Sequence, residues 1–572
     1  MSARLRGPAT LALLAVALAA CTRLAAPPAP TAATPAPTAA TPTPEYYGTD
    51  EPFAAEAVYF VVTDRFVNGD PANDQRDQGG AHPTFDIAVP GPDGRSDNIG
   101  YLGGDFKGIV DHIGYIKDMG FTAVWITPIV DNPDQAFTGG KPASWGSMWT
   151  DQGKTGYHGY WGVNFYKLDE HLPSPGLDFA GFTAAMHAQG VKVVLDVVAN
   201  HGSPAFTMPV AQPQYGQIYD AAGTLVADQQ NLPPERLDPV NNPLHRFYNT
   251  RSDLAELSDL REDSPEVLDY LAGAYLQWIG QGADAFRVDT VSKMPGEFWD
   301  RFAGRIRERH PGYFLFGEVF DYDAEKIAPY TRPGGGSMSV LDFPLKGQMA
   351  KVFGREGGDF ALLGPPLFLE GGPYRNPYEL MTFYDNHDMA RLDATDEGFI
   401  DAHHWLFTAR GIPVVYYGSE IGFERGSPEL AGNRNYFGTE GIATARDHPI
   451  RAALARIAQV RAGSPALQRG LQVNVELAGD RAAFYRVYQR EGTQQIALVL
   501  LNKGDAAAEF EVTAMLESGT WTPALGGEAV TVGTGGSLRA SVPAHGAQVY
   551  LHEGPVARAD LAAQLARQMA AR

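Results

Sequence analysis

The chain is poor in several things. Its single cysteine, Cys21, excludes a disulfide framework and any thiolate metal cluster. Positive charge is scarce: 45 Lys and Arg stand against 67 Asp and Glu, a formal charge of −22. With no basic excess to displace counterions from a phosphate backbone, nucleic acid is excluded as a partner. Long apolar runs are missing beyond the amino terminus, and a mean hydropathy of −0.22 excludes a polytopic membrane protein. What is present is size and loop chemistry. The 572 residues allow about four domains at ~150 each, although barrels routinely exceed that size. With 64 Gly, 42 Pro and 11% aromatics, the fold is expected to be rich in loops and to offer stacking surfaces.

Residues 1–20 read as an export signal. Arg4 and Arg6 precede Leu11–Ala20, an apolar core too short to span a bilayer. Cys21 follows Leu18-Ala19-Ala20, which resembles the bacterial lipoprotein cleavage box. Lipidation of Cys21 is therefore expected. It would anchor an exported protein in the cell envelope, at the outer membrane or cell surface if the cell is diderm, and would be its only membrane contact. The following stretch, to residue 53, is an Ala/Pro/Thr tether with little to bury.

From residue 54 onward apolar runs alternate with helical segments. The runs are Glu56–Val62, Ala123–Pro128, Val191–Val198, Ala283–Asp289, Phe314–Phe320, Met338–Phe343, Leu380–Asn386 and Ile412–Gly418. Eight of them predict an α/β fold, a (β/α)8 barrel over 54–463. The long interval after the third run predicts an inserted subdomain at about 202–265. Short alternating segments then predict a C-terminal antiparallel β-sandwich over 466–553. An Ala-rich helical tail covers 554–572, and nothing in the sequence suggests its role.

Polar residues gather where the runs stop. The third run ends in DVVANH (Asp196, Asn200, His201) and the fourth in FRVD (Arg287, Asp289). The fifth ends in FGEVF (Glu318) and the seventh in FYDNHD (His387, Asp388). A single aspartate at a strand end is most often a cap. Four such ends on one barrel rim are not, because charge inside apolar runs is costly unless paired or functional.

These four segments, in this order, resemble the signature regions of the α-amylase superfamily of glycoside hydrolases, as do YHGYW at Tyr157–Trp161 and VVTDRFVNGDPAND on the first strand. The resemblance implies that Asp289 is the nucleophile of a covalent glycosyl-enzyme, Glu318 the acid/base and Asp388 the third carboxylate, which binds and strains the sugar. Arg287, two residues before Asp289, is expected to pair with it. Glu318 needs a raised pKa to serve as an acid. The resemblance also places Tyr160 as a stacking platform, His201 and His387 as donors to the same sugar, and His158, Trp161 and Arg434 at further subsites. Asp196 reads as structural. Trp145, Trp149 and Tyr157 either stack on glucan or pack their Gly-rich loop.

Asn68-Gly69-Asp70-Pro71-Ala72-Asn73-Asp74 concentrates hard oxygen ligands suited to calcium. It resembles the calcium loop of neopullulanases, cyclomaltodextrinases and cyclodextrin glucanotransferases, which implies Asn68, Asp70, Asn73 and Asp74 as ligands with Gly103 and Asp105. The superfamily's other calcium site, around Asn200, meets Arg261 and Lys293 where ligands are usual. One structural Ca2+ is expected, with those two cations replacing the second by salt bridges.

By resemblance, glucanotransferases carry two further β-domains and cyclomaltodextrinases a preceding one. The plan here therefore points to an α-amylase that hydrolyses α-1,4 bonds of starch or maltooligosaccharides, its partner an α-glucan. A cyclomaltodextrinase, neopullulanase-like or transglycosylating activity is the alternative within the class. A non-catalytic surface glycan-binding protein is a distant one, disfavoured by the presence of all three carboxylates.

Overall fold

The structure, a computed structural model, describes residues 44–571. The expected leader, Cys21 and most of the tether lie outside the described residues.

The apolar runs form eight short strands: β1 (Val58–Val61), β2 (Ala123–Ile126), β3 (Lys192–Val197), β4 (Ala285–Val288), β5 (Phe314–Gly317), β6 (Ser339–Val340), β7 (Met381–Thr382) and β8 (Ile412–Tyr416). They pair in parallel in the order β6-β5-β4-β3-β2-β1-β8-β7. One parallel bridge, Leu341 to Met381, joins the two ends of the sheet, supported by Asp342 N donating to Met381 O at 2.9 Å. Parallel strands are covered on both faces, which is why they read as continuous rather than alternating apolar runs. The barrel interior is packed with rings: Phe60 stacks on Trp125 at 3.8 Å, and Trp125 meets Phe316 edge-on at 5.4 Å.

After β3 the chain leaves the barrel. His201–Pro204 pairs antiparallel with Leu257–Asp259, and Gln217–Tyr219 forms a hairpin with Leu225–Asp228. Ser264 then caps the helix Pro265–Gly280, its hydroxyl accepting from Val267 N. His201 opens this excursion, paired with Asp259.

The sandwich has more strands than the sequence suggested: β9 (Leu471–Ala478), β10 (Arg481–Arg490), β11 (Thr493–Asn502), β12 (Ala508–Val512), β13 (Gly519–Pro523), β14 (Val530–Val532), β15 (Leu538–Val542) and β16 (Gly546–Glu553). A six-stranded antiparallel sheet, β9-β10-β11-β16-β13-β14, faces the pair β12-β15 across a core that includes Tyr485, Leu498, Trp521 and Val542. Several hydrogen bonds tie it to the barrel. Buried Arg486 donates to Thr408 O at 2.8 Å. His545 bridges Asp401 at 2.7 Å and Asp505 at 3.1 Å, and the Asp401 hydrogen bond is the main cause of a histidine pKa raised to about 9.

The tail acquires a structural account. Helix Ala559–Ala570 sinks Leu561 and Leu565, one turn apart, into the sandwich core. Gln568 donates to Gln472 O on β9 at 2.9 Å, so the helix lies over a sheet edge that would otherwise be open.

Candidate active site

The site is built on a buried cation. Arg287 on β4 sits level with Asp196 on β3, both wholly enclosed. One guanidinium serves three carboxylates: Nη1 donates to Asp196 Oδ1 and to Asp289 Oδ1, both at 2.8 Å, while Nη2 pairs with Glu318 Oε2 at 2.9 Å. Asp196 also accepts from Trp125 Nε1 at 3.0 Å and Tyr160 Oη at 2.8 Å. It fastens the floor of the site, the structural part the sequence suggested. Buried ions cost several kcal/mol each in lost hydration, and three carboxylates around one guanidinium offset that cost in part, Arg287 Nε being left without a hydrogen-bond partner.

Asp289 and Glu318 each lie one step beyond their strands, held by the neighbouring backbone. Asp289 N donates to Val197 O at 2.9 Å and Glu318 N to Val288 O at 2.8 Å. Thr290, directly after Asp289, is left-handed (φ 47°), a strained conformation for a β-branched residue and one that clusters at functional sites. Burial pushes the Glu318 carboxyl up to about 8, against the pull of Arg287 and with help from Asp388 and Asp289. Glu318 thus keeps its proton to higher pH than an ordinary glutamate. Its Oε1 is buried with no hydrogen-bond partner.

Asp388 forms the opposite wall. Burial raises it to about 6 against the nearby Arg434. Arg434 is no surface residue: it is 6% exposed, donates to Asp388 Oδ1 at 2.8 Å and to His387 O at 2.9 Å, and pairs with Glu429 at 3.2 Å. Tyr160 lies parallel to His387, ring centres 5.3 Å apart. His158 Nδ1 accepts from Tyr160 N at 3.0 Å. Burial lowers the pKa of His158, His201 and His387, so all three are neutral. The Nδ1 atoms of His201 and His387 are buried without partners, free to bond a hydroxyl as donor or acceptor.

Other aromatic residues divide. Trp161 packs with Phe137, Met208 and Tyr215 and lies edge-on to His158 at 4.9 Å, so its contacts are with protein and it supports His158. Trp145 packs with Val89, Ile99 and Leu430, and Tyr157 lies under the Arg65 guanidinium at 3.7 Å. Trp149 does neither and is 71% exposed. Sequence reasoning missed Phe320 and Tyr322, half-exposed rings that rest on Phe343 at 5.0 and 5.9 Å. They follow Glu318 by two and four residues, an alternation that was available as a signal. Glu429 and Lys154, which brace Arg434, gave none.

The loop after β1 gathers all six expected calcium positions. Asn68 Nδ2 donates to Asp74 Oδ1 at 2.7 Å. The Asp105 carboxylate accepts from Gly69 N, Asp70 N and Asn73 Nδ2 at 2.9–3.1 Å. Gly103 (φ 87°) backs onto the cluster so closely that a Cβ there would stand 2.4 Å from Asp74 Oδ1. Two buried acceptors, Asn68 Oδ1 and Asn73 Oδ1, have no partner. Unused hard oxygens beside carboxylates fit a calcium ion. Among the described residues no group of three His, Cys, Asp or Glu converges as a metal site.

At the second position, Lys293 Nζ donates to Asp253 O at 2.9 Å, and Asn200 Nδ2 donates to Asp253 Oδ1 at 3.3 Å. Arg261 does not join them. It pairs with Asp263, two residues away, at 3.0 Å, so the expected double replacement is reduced to one lysine bonded to a carbonyl.

A family model, the alpha amylase catalytic domain, matches residues 60–489. An alpha-amylase from Niallia circulans is 29% identical over 511 residues, covering 85% of this chain and 88% of its own. A cyclomaltodextrin glucanotransferase from Geobacillus stearothermophilus is 30% identical over 512 residues, covering 85% of this chain and 66% of its own. Among solved structures, a cyclomaltodextrin glucanotransferase with a three-domain ABC distribution superposes with a TM-score of 0.69 at 30% identity, covering 87% of this chain and 99% of the other. An Anoxybacillus alpha-amylase gives 0.66 at 27%, covering 88% and 98%. The three-domain glucanotransferase corrects one expectation: two further β-domains are not required for that activity, so domain plan does not separate hydrolase from transferase.

Proposed function

Since this chain belongs to the α-amylase family, enzymes acting on α-glucans, we propose that it cleaves α-1,4-glucosidic bonds of starch and maltooligosaccharides with retention of configuration. The observation that carries the proposal is Glu318: a buried carboxyl whose pKa burial raises, with one unpartnered oxygen, beside a second carboxylate on the same guanidinium. Retaining pairs stand about 5–5.5 Å apart, and a shared cation favours such closeness.

Asp289 attacks the anomeric carbon as Glu318 gives its proton to the departing glycosidic oxygen. The C–O bond breaks and a glycosyl ester forms on Asp289. Glu318, now ionised, takes a proton from water, which attacks the same carbon and frees Asp289. Asp388 holds the hydroxyls of the sugar whose bond breaks, Arg434 beside it reaches the next sugar, His201 and His387 bond the first from two sides, and Tyr160 supports its ring. A second reading, transfer to a sugar acceptor, is favoured by Phe320 and Tyr322, whose half-exposed rings beside Glu318 offer an acceptor a stacking surface.

Proton NMR of a maltooligosaccharide digest should show the α-anomer at first release. Chromatography of starch, pullulan and cyclodextrin digests then separates linear products from transfer products. An initial β-anomer would overturn the retaining assignment.

The proposal includes one structural calcium held by Asn68, Asp70, Asn73, Asp74, Gly103 and Asp105. Binding to the native state alone stabilises it, by about 2.7 kcal/mol at a hundredfold excess over Kd. Chelation should lower Tm by several degrees, and Asp70→Ala should lower the calcium content measured by atomic emission. An unchanged content would refute the assignment.

A further inference from the structure

Arg434 is shared between two acids. Its Nη2 donates to Asp388 Oδ1 at 2.8 Å, while Nη1 pairs with Glu429 Oε1 at 3.2 Å. Glu429 pairs in turn with Lys154 Nζ at 3.4 Å, and Lys154 with Asp151 at 2.9 Å. Lys154 is 5% exposed and Arg434 6%, so solvent screens this row of charges little. The backbone on either side of Glu429 is pinned. Gly146 N, in the loop that leads to Lys154, donates to Leu430 O at 2.6 Å. Arg95 donates to Ala431 O at 3.1 Å, and Gly432 N to Asp97 Oδ2 at 2.7 Å. Lys154 and Glu429 thus reach Asp388 through Arg434, along a row that cannot easily rearrange.

The charges around Asp388 are mixed. Burial raises its carboxyl to about 6; Arg434 and Arg287 pull it down, and Glu429 and Asp289 push it up. His387 Nε2 stands 3.2 Å away, and Tyr160 and Glu318 face it from the other elements of the site. Arg434 itself faces Glu429, Tyr157 and Tyr416 besides Asp388. Burial opposes the charge of Glu429, yet Arg434 and then Lys154 hold its carboxyl below the ordinary range. Glu429 is therefore a fixed anion. It draws Arg434 away from Asp388, and Lys154 draws it back.

We infer that Glu429 and Lys154 are positioning residues of opposite sign, which set how much of the Arg434 charge reaches Asp388 and hence the lowest pH at which Asp388 can hold a sugar. This rests on the α-glucan reading above, in which Asp388 must be ionised to accept sugar hydroxyls. The Asp388 side chain keeps 30% of its surface open, enough to meet a ligand while its charge is set from behind. Glu429 adds a like charge and competes for the guanidinium, so it raises the proton affinity of Asp388. Lys154 neutralises Glu429 from the far side, so it lowers that affinity. Both act through Arg434 rather than on the sugar.

The test is the pH profile of kcat/KM on maltoheptaose, which reports the ionisations of the free enzyme. In Glu429→Gln the acidic limb should move down by about half a unit, and in Lys154→Met up by about as much. The double variant Lys154→Met/Glu429→Gln removes one charge of each sign and should return the limb close to wild type. Lys154→Arg should keep it there. The basic limb, where Glu318 yields its proton, should hold throughout, because the charges facing Glu318 are Arg287, Asp388, Asp289 and Asp196. Where a variant turns over too slowly to profile, calorimetric titration of maltoheptaose in an Asp289→Asn background reads the same shifts as the pH at which affinity is lost. Single variants that move the limb in one direction, or that lower kcat/KM equally at every pH, would show that the two residues only brace their loops, and would overturn the inference. A wild-type enzyme inert on maltoheptaose would refute the α-glucan reading itself.

Discussion

Asp289→Asn should lower kcat on maltooligosaccharides by at least about four orders of magnitude, some 5.5 kcal/mol of transition-state stabilisation, while the protein stays folded. An amide of the same shape cannot form the glycosyl ester. The fold should tolerate it because the exchange is isosteric and Arg287 keeps two of its three carboxylates, Asp196 and Glu318. Circular dichroism and a Tm within a few degrees of wild type would establish the second half. Residual activity above one part in about a thousand, in protein free of wild type, would place the nucleophile elsewhere.

Arg287→Met should have the largest effect on stability. Removing one partner from a buried ion network costs about 3–5 kcal/mol, because the remaining charges are left uncompensated. Here three carboxylates are stranded. Burial already raises Glu318 to about 8, Asp196 to about 7 and Asp388 to about 6, and Arg287 lowers each of them. A carboxyl whose folded pKa lies above its unfolded value stabilises the fold at low pH and loses that contribution as pH rises through the folded value. Without the cation these values rise further, so the stability gap between variant and wild type should widen from pH 5 to pH 8. Denaturant unfolding at the two pH values measures it. A gap independent of pH would show that Arg287 acts by packing rather than by charge.

Much of this was legible because a barrel writes its function at strand ends. DVVANH, FRVD, FGEVF and FYDNHD each interrupt an apolar run with charge, and the structure brings their side chains to one rim. Position on the rim was readable; connectivity was not. That one guanidinium serves Asp196, Asp289 and Glu318 follows from the register of β4 against β3 and β5, which spacing along the chain does not encode. Lys154 reaches Glu429 from 275 residues away and Arg434 reaches Asp388 from 46, so the pairing that buries Arg434 is not visible along the chain. In the sandwich, β13, β14 and β15 are three to five residues long with outward threonine, serine or arginine, too short and too polar to stand out. The oxygen-rich loop Asn68–Asp74 was legible in composition, while the unused oxygens of Asn68 and Asn73 became visible only in three dimensions.

The seam of the barrel bears on how the site moves. β6 and β7 contribute two residues each and meet through one bridge, whereas β4 and β5 share four register pairs. Local opening begins where backbone hydrogen bonds are fewest, so this seam is the least protected part of the barrel wall. Asp289 and Glu318 stand on well-paired strands, but Asp388 stands on the segment that continues from β7. Two of the three carboxylates thus share a rigid mount, and the third rides on the looser edge. Under the glucan-cleaving reading proposed above, this arrangement would let Asp388 shift with a bound sugar ring while Asp289 and Glu318 keep their spacing.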